Sequence, residues 1–311
     1  YQLISYFNSI TESGRAVKFA NSEPWITTPT DKQLELLLKK DERIASSQVS
    51  LHSKQSEIKG AQKEWEKSEA KNTTERSFLD EGLVRYYSFD GNDSGVNVMQ
   101  GNPWFSSGMF GTAATLDGDS HFVVDCDPIL VTEYRWSISF WMKPDSVEDS
   151  VIMSRQEIST TRPGITVELK DGHLQFYVMT RWIAGVGAVE THEKLVPGEW
   201  RHVTLTNDGS YRAKGMKVFL DGQEAQSRVL HNTNSNKGVS AKGAKFRVGG
   251  GVVGNNYQGQ VDELRIYDRT LWDDEIAQLA VPVRIQEIAE AKQKYRSTAA
   301  SAKLQAYYLN N

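Results

Sequence analysis

With 311 residues the chain is long enough to bury a substantial core unaided; its 36 basic and 40 acidic side chains leave a formal charge of −4, with no run of Lys or Arg to follow a phosphate backbone, and nucleic acid is set aside as a partner. The single cysteine, Cys126, excludes an internal disulfide, a CxxCH haem attachment and a multi-cysteine zinc site. No stretch approaches the ~20 apolar residues of a membrane-spanning helix, and the opening YQLISYFNSI has neither the charged start nor the cleavage site of a signal peptide, so the sequence reads as a piece of a longer chain.

Residues 1–30 read as an extended segment of a truncated neighbouring domain. From 31 to 79 the chain is highly charged and free of proline, with one glycine at 60, and Leu37, Ile44, Leu51, Ile58 and Trp65 recur every seven residues along one side of a helix. The companion positions Asp41, Gln48, Gln55 and Gln62 are polar, so the stripe needs a partner. After Pro282 the tail repeats the interval at Ile288, Tyr295, Ala302 and Leu309. This spacing predicts one returning helix over 281–311, running antiparallel with Trp65 near Ile288, Ile58 near Tyr295 and Ile44 near Leu309 as a helical stalk; two separate solvated helices are the alternative.

Residues 80–280 carry Asp-Gly pairs at 90–91, 117–118, 171–172, 208–209 and 221–222, which suit the positive φ angles of tight hairpins. WSISFWMK alternates Trp136, Ile138, Phe140 and Met142 against Ser137, Ser139, Trp141 and Lys143, as a strand with one face on a core does. About a dozen such segments predict a mainly β fold of two packed antiparallel sheets, a jelly-roll sandwich.

In order and spacing, LVRYYSFDG, ATLDGDSHFVV, WSISFWMKPD, VPGEWRHVTLTNDGS, GMKVFLDGQ and GQVDELRIYDRTLWDDEIAQL resemble the laminin G-like family of concanavalin A-like lectins and glucanases, over residues 83–280. The first 30 residues and the closing KLQAYYLNN resemble the segments that border such a domain in secreted planctomycete proteins of the cytochrome c type. The resemblance implies a secreted, periplasmic or cell-surface multidomain protein; this fragment lacks the haem motif, and no redox function attaches to it.

The segment 259–280 holds Asp262, Glu263, Asp268, Asp273, Asp274 and Glu275. Strand alternation would send Asp262 and Glu263 to opposite faces, whereas glycoside hydrolysis needs two carboxyls about 5–5.5 Å apart for retention or 6.5–9.5 Å for inversion. The ExDxxE run of the glucanases is absent, and VELKDGHL places Glu168 and Asp171 across a turn without a third acid, so no catalysis is expected. Asp273, Asp274 and Glu275 suit the first turn of a helix, with Thr270 as a substitute cap and Ile276 and Leu279 facing the sandwich. The resemblance implies a calcium ion at a sandwich edge, with Asp90, Asp93 and Asp262 as candidate ligands; ordinary turn chemistry is the rival reading of the first two.

For a glycan ligand the candidates are Trp104, Phe105, Arg181, Trp182 and Tyr257, aromatic and polar groups expected on loops at the rim. Trp136, Trp141 and Trp200 fall on strands and are expected to pack; His121, His202 and His231 lack paired spacing and are expected to be structural. No GxSxG elbow or phosphate-binding loop occurs, and the acids flanking Cys126 disfavour a reactive thiolate. Two classes remain open, a non-catalytic carbohydrate-binding module and a protein-interaction or spacer module joined to neighbouring domains.

Overall fold

The structure, a computed structural model, describes residues 29–68, 78–91, 93, 95–125, 130, 134–181, 185–233, 241 and 243–310. Most of the expected N-terminal segment, Cys126 and the candidate Trp182 lie outside the described residues. The chain divides into two units, residues 1–64 and 65–311.

In the first unit the predicted helix is α1, Asp31–Ser68, whose end from Trp65 onward belongs to the second unit. Its start is a reciprocal cap: the Thr30 N–H donates to Gln33 Oε1 at 2.8 Å and the Gln33 N–H to Thr30 Oγ1 at 3.3 Å, so two N–H groups that a helix start leaves unpaired find acceptors. Leu37, Ile44 and Leu51 are exposed.

The second unit contains β1 Leu83–Tyr87, β2 Val96–Gln100, β3 Trp104–Ser107, β4 Thr112–Asp117, β5 His121–Val124, β6 Arg135–Pro144, β7 Ser150–Gln156, β8 Gly164–Lys170, β9 His173–Arg181, β10 Gly185–Lys194, β11 Arg201–Asp208, β12 Met216–Leu220, β13 Gln223–Glu224, β14 Ser227–Asn232, β15 Phe246–Val248 and β16 Gln258–Tyr267. Helices α2 Asp273–Leu279, α3 Ile285–Glu290 and α4 Thr298–Asn310 follow. Sheet I has the order β13-β12-β11-β6-β16-β4-β3, with β1 pairing the C-terminal half of β16; sheet II has the order β14-β10-β9-β8-β7-β15-β5-β2. Asp171 and Gly172 (φ 51° and 82°) join β8 to β9, and Asp221 and Gly222 (φ 49° and 84°) join β12 to β13, the positive pair that matches hairpin twist.

Alternation then sorts the side chains. Trp136, Ile138, Phe140 and Met142 of β6 meet Ile165, Val167, Phe176 and Val178 of sheet II in one core. The opposite face of sheet I is not solvated, because a second core forms there from Phe78, Phe219, Tyr267, Ile276, Ile285, Leu304 and Tyr307. Residues Ser139, Trp141 and His202, on the polar side of their strands, are therefore buried.

The tail corrects two expectations. It is not one helix: extended backbone at Ala291, Lys292 and Arg296 breaks it into α3, a 3-10 turn and α4. Nor does the seven-residue stripe survive, since Ala302 is exposed and Tyr295 is 73% exposed while Ala300, Leu304 and Tyr307 are buried. Burial follows the i, i+4, i+7 face of α4, which packs with Phe219 and Tyr267 of sheet I. Trp65 meets Tyr307 and Tyr308, at ring-centroid distances of 6.0 and 5.5 Å, rather than Ile288, and Arg296 pairs with Glu66 at 2.8 Å.

The first-turn acids of α2 stand as expected, with a different cap. Glu275 accepts the Trp272 N–H at 2.8 Å and takes Arg269 through two hydrogen bonds of 2.7 Å; Thr270 donates to Asn207 O instead, at 3.4 Å. Because α4 forms part of a core, Leu304→Ala should cost about 2–5 kcal/mol in urea unfolding; an unchanged midpoint would show that the helices are dispensable to the sandwich.

Candidate ligand-binding face

Strand β16 does not follow simple alternation. Its register with β6 shifts between Asp262 and Arg265, and Glu263 has φ 53°, a β-bulge. Val261, Leu264 and Ile266 all enter the sandwich core, so Asp262 and Glu263 both leave by the other face, contrary to the expectation of opposite faces. Neither is open to solvent: both side chains are buried. The Asp262 carboxyl accepts the Phe110 N–H at 3.0 Å and the Glu263 N–H at 2.8 Å. A Cβ at Gly108 would collide with it, so the β3–β4 turn closes onto this side chain. Glu263 accepts the Tyr86 hydroxyl at 2.9 Å and pairs with Arg265 at 3.3 Å.

The other two aspartates named as calcium ligands serve loop geometry. Asp90 accepts the Thr112 N–H at 2.9 Å and faces Arg284 at 3.4 Å, while Asp93 accepts the Phe89 N–H at 2.5 Å. Among the described residues no group of three or more His, Cys, Asp and Glu side chains is placed to hold a metal ion, so the structure does not gather Asp90, Asp93 and Asp262 into a centre.

The glycan candidates are dispersed. Trp104 and Phe105 are exposed on β3, the edge strand of sheet I, with Phe105 resting 5.4 Å from Phe122. Arg181 is exposed at the end of β9, a central strand of sheet II. Tyr257 is not on a rim at all: it is fully buried in the sandwich core, which corrects its assignment as a binding residue, and burial raises its hydroxyl well above the usual tyrosine range.

The outer face of sheet II presents what the sequence reading missed. Phe176 and Val178 point inward, so Gln175 and Tyr177 of β9 point out; the same alternation turns Thr166 and Glu168 of β8, Glu190 of β10 and Arg247 of β15 outward. Across the ladders, Glu168, Gln175, Glu190 and Arg228 form one row, and Arg247, Ser154, Thr166, Tyr177 and Ala188 the next.

Within the first row Gln175 Nε2 donates to the Glu190 carboxylate, which also accepts Arg228 Nε at 2.7 Å. Tyr177 donates to Gln175 Oε1 at 2.6 Å, and its half-buried ring lies 6.5 Å from that of His231. Burial, with Glu168 and Glu190 nearby, pushes the Tyr177 hydroxyl up to about 12. Burial also raises Glu168; it acts on Glu190 in the same sense, but hydrogen bonds from Gln175 and Arg228 outweigh it and lower that carboxyl. The result is an aromatic ring among fixed polar groups, the makeup of a ligand site that orients hydroxyls. The signal was in VELKDGHLQFYV, where the outward set is read by taking every second residue.

A two-sheet antiparallel sandwich whose second sheet carries this polar and aromatic face is the architecture of a lectin-type jelly roll. A laminin G family model, described as the Concanavalin A-like lectin/glucanases superfamily, matches residues 116–277, about half of the chain, and the chain belongs to that superfamily. Among solved structures it is similar to domain 4 of AbnA, a GH43 extracellular arabinanase from Geobacillus stearothermophilus, in complex with arabinotriose, at 23% identity and TM-score 0.50 over 64% of this chain and 98% of that one. The binding domains of Paraclostridial Mosquitocidal Protein 1 and of botulinum neurotoxin serotype D match at 18% and 16% identity, each with TM-score 0.48, over 64% and 66% of this chain and 52% of theirs. A comparison with curated protein sequences found no match.

Two substitutions check these placements. Burial lifts the Asp262 carboxyl from its ordinary 3.8 to about 8, so between those values the folded chain holds a proton that the unfolded chain has released, and stability falls as pH rises. Denaturant unfolding of Asp262→Asn and the parent from pH 4 to 8 should shift in the variant's favour with increasing pH, by up to about 1.4 kcal/mol per pH unit; a constant difference would contradict a protonated Asp262. The Tyr257 hydroxyl is buried without a hydrogen-bond partner, so Tyr257→Phe should keep or raise the melting temperature and leave glycan binding intact.

Proposed function

We propose that the chain is a non-catalytic carbohydrate-binding module of a secreted or cell-surface multidomain protein, with the outer face of sheet II as its ligand surface. The observation that carries the reading is the half-buried Tyr177 ring, held by Gln175 beside the Glu190–Arg228 pair. An aromatic face stacks on the C–H side of a sugar ring while fixed amide, carboxylate and guanidinium groups meet its hydroxyls. Membership of a lectin and glucanase superfamily supports the reading, as does the complex of the arabinanase domain with arabinotriose. The adjacent carboxyls of β16, Asp262 and Glu263, are both buried, which supports a binding role over hydrolysis at this pair. No described helix is long and apolar enough to cross a membrane.

The exposed stripe Leu37, Ile44 and Leu51 of α1 favours a second reading, a protein-interaction or spacer role for the helical segment. A panel of plant, algal and bacterial polysaccharides separates the two. The carbohydrate reading expects at least one glycan to bind and Tyr177→Ala to weaken it about tenfold or more, roughly 1.4 kcal/mol, in a variant whose melting shows it still folded. No binding to any of them would leave the spacer role standing alone.

A further inference from the structure

On the same face, away from Tyr177, lies a group that the carbohydrate reading does not use. Arg247 is the central residue of β15, and its neighbours Phe246 and Val248 fill the sandwich core, so its side chain leaves by the outer face of sheet II. It is 8% exposed. Its guanidinium, with five N–H donors, makes one hydrogen bond among the described residues, from Nη1 to Lys245 O at 3.4 Å, and no ion pair with a described carboxylate. This is unusual company for an arginine so deeply placed, because a buried charge normally has an opposite partner.

Two further unsatisfied polar atoms share the face. His121 of β5 is 7% exposed and its Nδ1 has no hydrogen-bond partner; Thr166 Oγ1, in the same cross-strand row as Arg247, has none either. His121 stands two residues before Val123, the ladder partner of Arg247, hence on the same side of the sheet. Burial and the Arg247 charge both depress His121, and burial depresses Arg247 itself. The acids of this face are elsewhere: Glu190 is taken by Arg228 and Gln175, and Glu168 is on β8, two strands beyond β15.

We propose that Arg247, with His121, forms a subsite for an anionic oxygen group, a carboxylate or sulfate, carried by an acidic polysaccharide. A planar guanidinium fits either group through two parallel N–H bonds, and His121 stands beside it on the same face of the neighbouring strand. From Arg247 to Tyr177 the row crosses β7 and β8 to β9, about 14 Å at the ~4.8 Å strand spacing. That span exceeds one sugar ring, so the ligand is a chain, with one residue stacked at Tyr177 and a charged one at Arg247. The acidic residues that outnumber basic ones across 80–280 repel a polyanion at large, and the interaction is accordingly one of local geometry.

The inference rests on the carbohydrate reading, and the experiment separates the two. Isothermal titration of the full chain uses three probes: polygalacturonate for carboxylate, carrageenan for sulfate and linear arabinan as the neutral control. Tighter binding of either acidic probe than of arabinan is expected, with a loss of about tenfold or more in Arg247→Gln and a smaller loss in Arg247→Lys. Which acidic probe binds identifies the anion. Should Arg247→Gln fail to fold, judged by its melting, His121→Gln reports on the same subsite and is expected to weaken the acidic probe alone. Equal affinity for arabinan and both acidic probes, or an unchanged affinity in a folded Arg247→Gln, overturns the subsite and leaves the carbohydrate reading intact. Failure of all three probes, with a positive result for some other neutral glycan, overturns it as well; failure with every glycan removes both.

Discussion

The bulge in β16 is the local event on which the rest of the second unit depends. A regular strand would have carried Val261 and Glu263 to one face and Asp262 and Leu264 to the other. One extra residue, with Glu263 at φ 53°, lets Val261, Leu264 and Ile266 all reach the sandwich core while Asp262, Glu263, Arg265 and Tyr267 emerge together on the outside. The cost of the left-handed backbone at a glutamate, of order 1–3 kcal/mol, is offset by what that side chain then holds, the Tyr86 hydroxyl and Arg265.

The emerging group gives sheet I a polar and aromatic outer face that helices can cover. Arg265 Nη1 donates to Phe78 O at 3.0 Å, and Lys303 of α4 reaches back to Val283 O at 2.9 Å while lying over the Phe78 and Phe110 rings. His202 is kept neutral, its pKa held down to about 3 by burial and then by the Lys303 and Arg265 charges, with Nε2 paired to Ser139 Oγ at 2.9 Å. Buried on both faces, sheet I becomes the middle layer of the unit. Sheet II keeps an outer face on which Glu168, Gln175, Glu190 and Arg228 stand in one cross-strand row, and it is this face that we propose as the ligand surface.

The sheets were legible because alternation and Asp-Gly turns are local: WSISFWMK and VELKDGHLQFYV state their inward residues by themselves, and Asp171-Gly172 and Asp221-Gly222 take the paired positive φ angles of tight hairpins, whereas at 90–91, 117–118 and 208–209 only the glycine does. Three things were not legible. A bulge leaves no mark in composition, so Asp262 and Glu263 were assigned to opposite faces. The tail's seven-residue interval is a coincidence of spacing that the breaks at Ala291 and Arg296 erase. Tyr257, in a glycine-rich stretch that reads as a rim loop, is drawn into the core by tertiary packing. The face we propose for the ligand was hidden for a different reason: Arg247 and Tyr177 are far apart in sequence, and only the pairing order β15-β7-β8-β9 aligns them.

Amide hydrogen exchange on the full chain, with and without a saturating polygalacturonate oligosaccharide, tests the division of labour between the sheets most directly. The account predicts added protection in β7, β8, β9 and β15, and none in β3, β16 or α4. Protection centred on β3, β16 or α4, with sheet II unchanged, would contradict it.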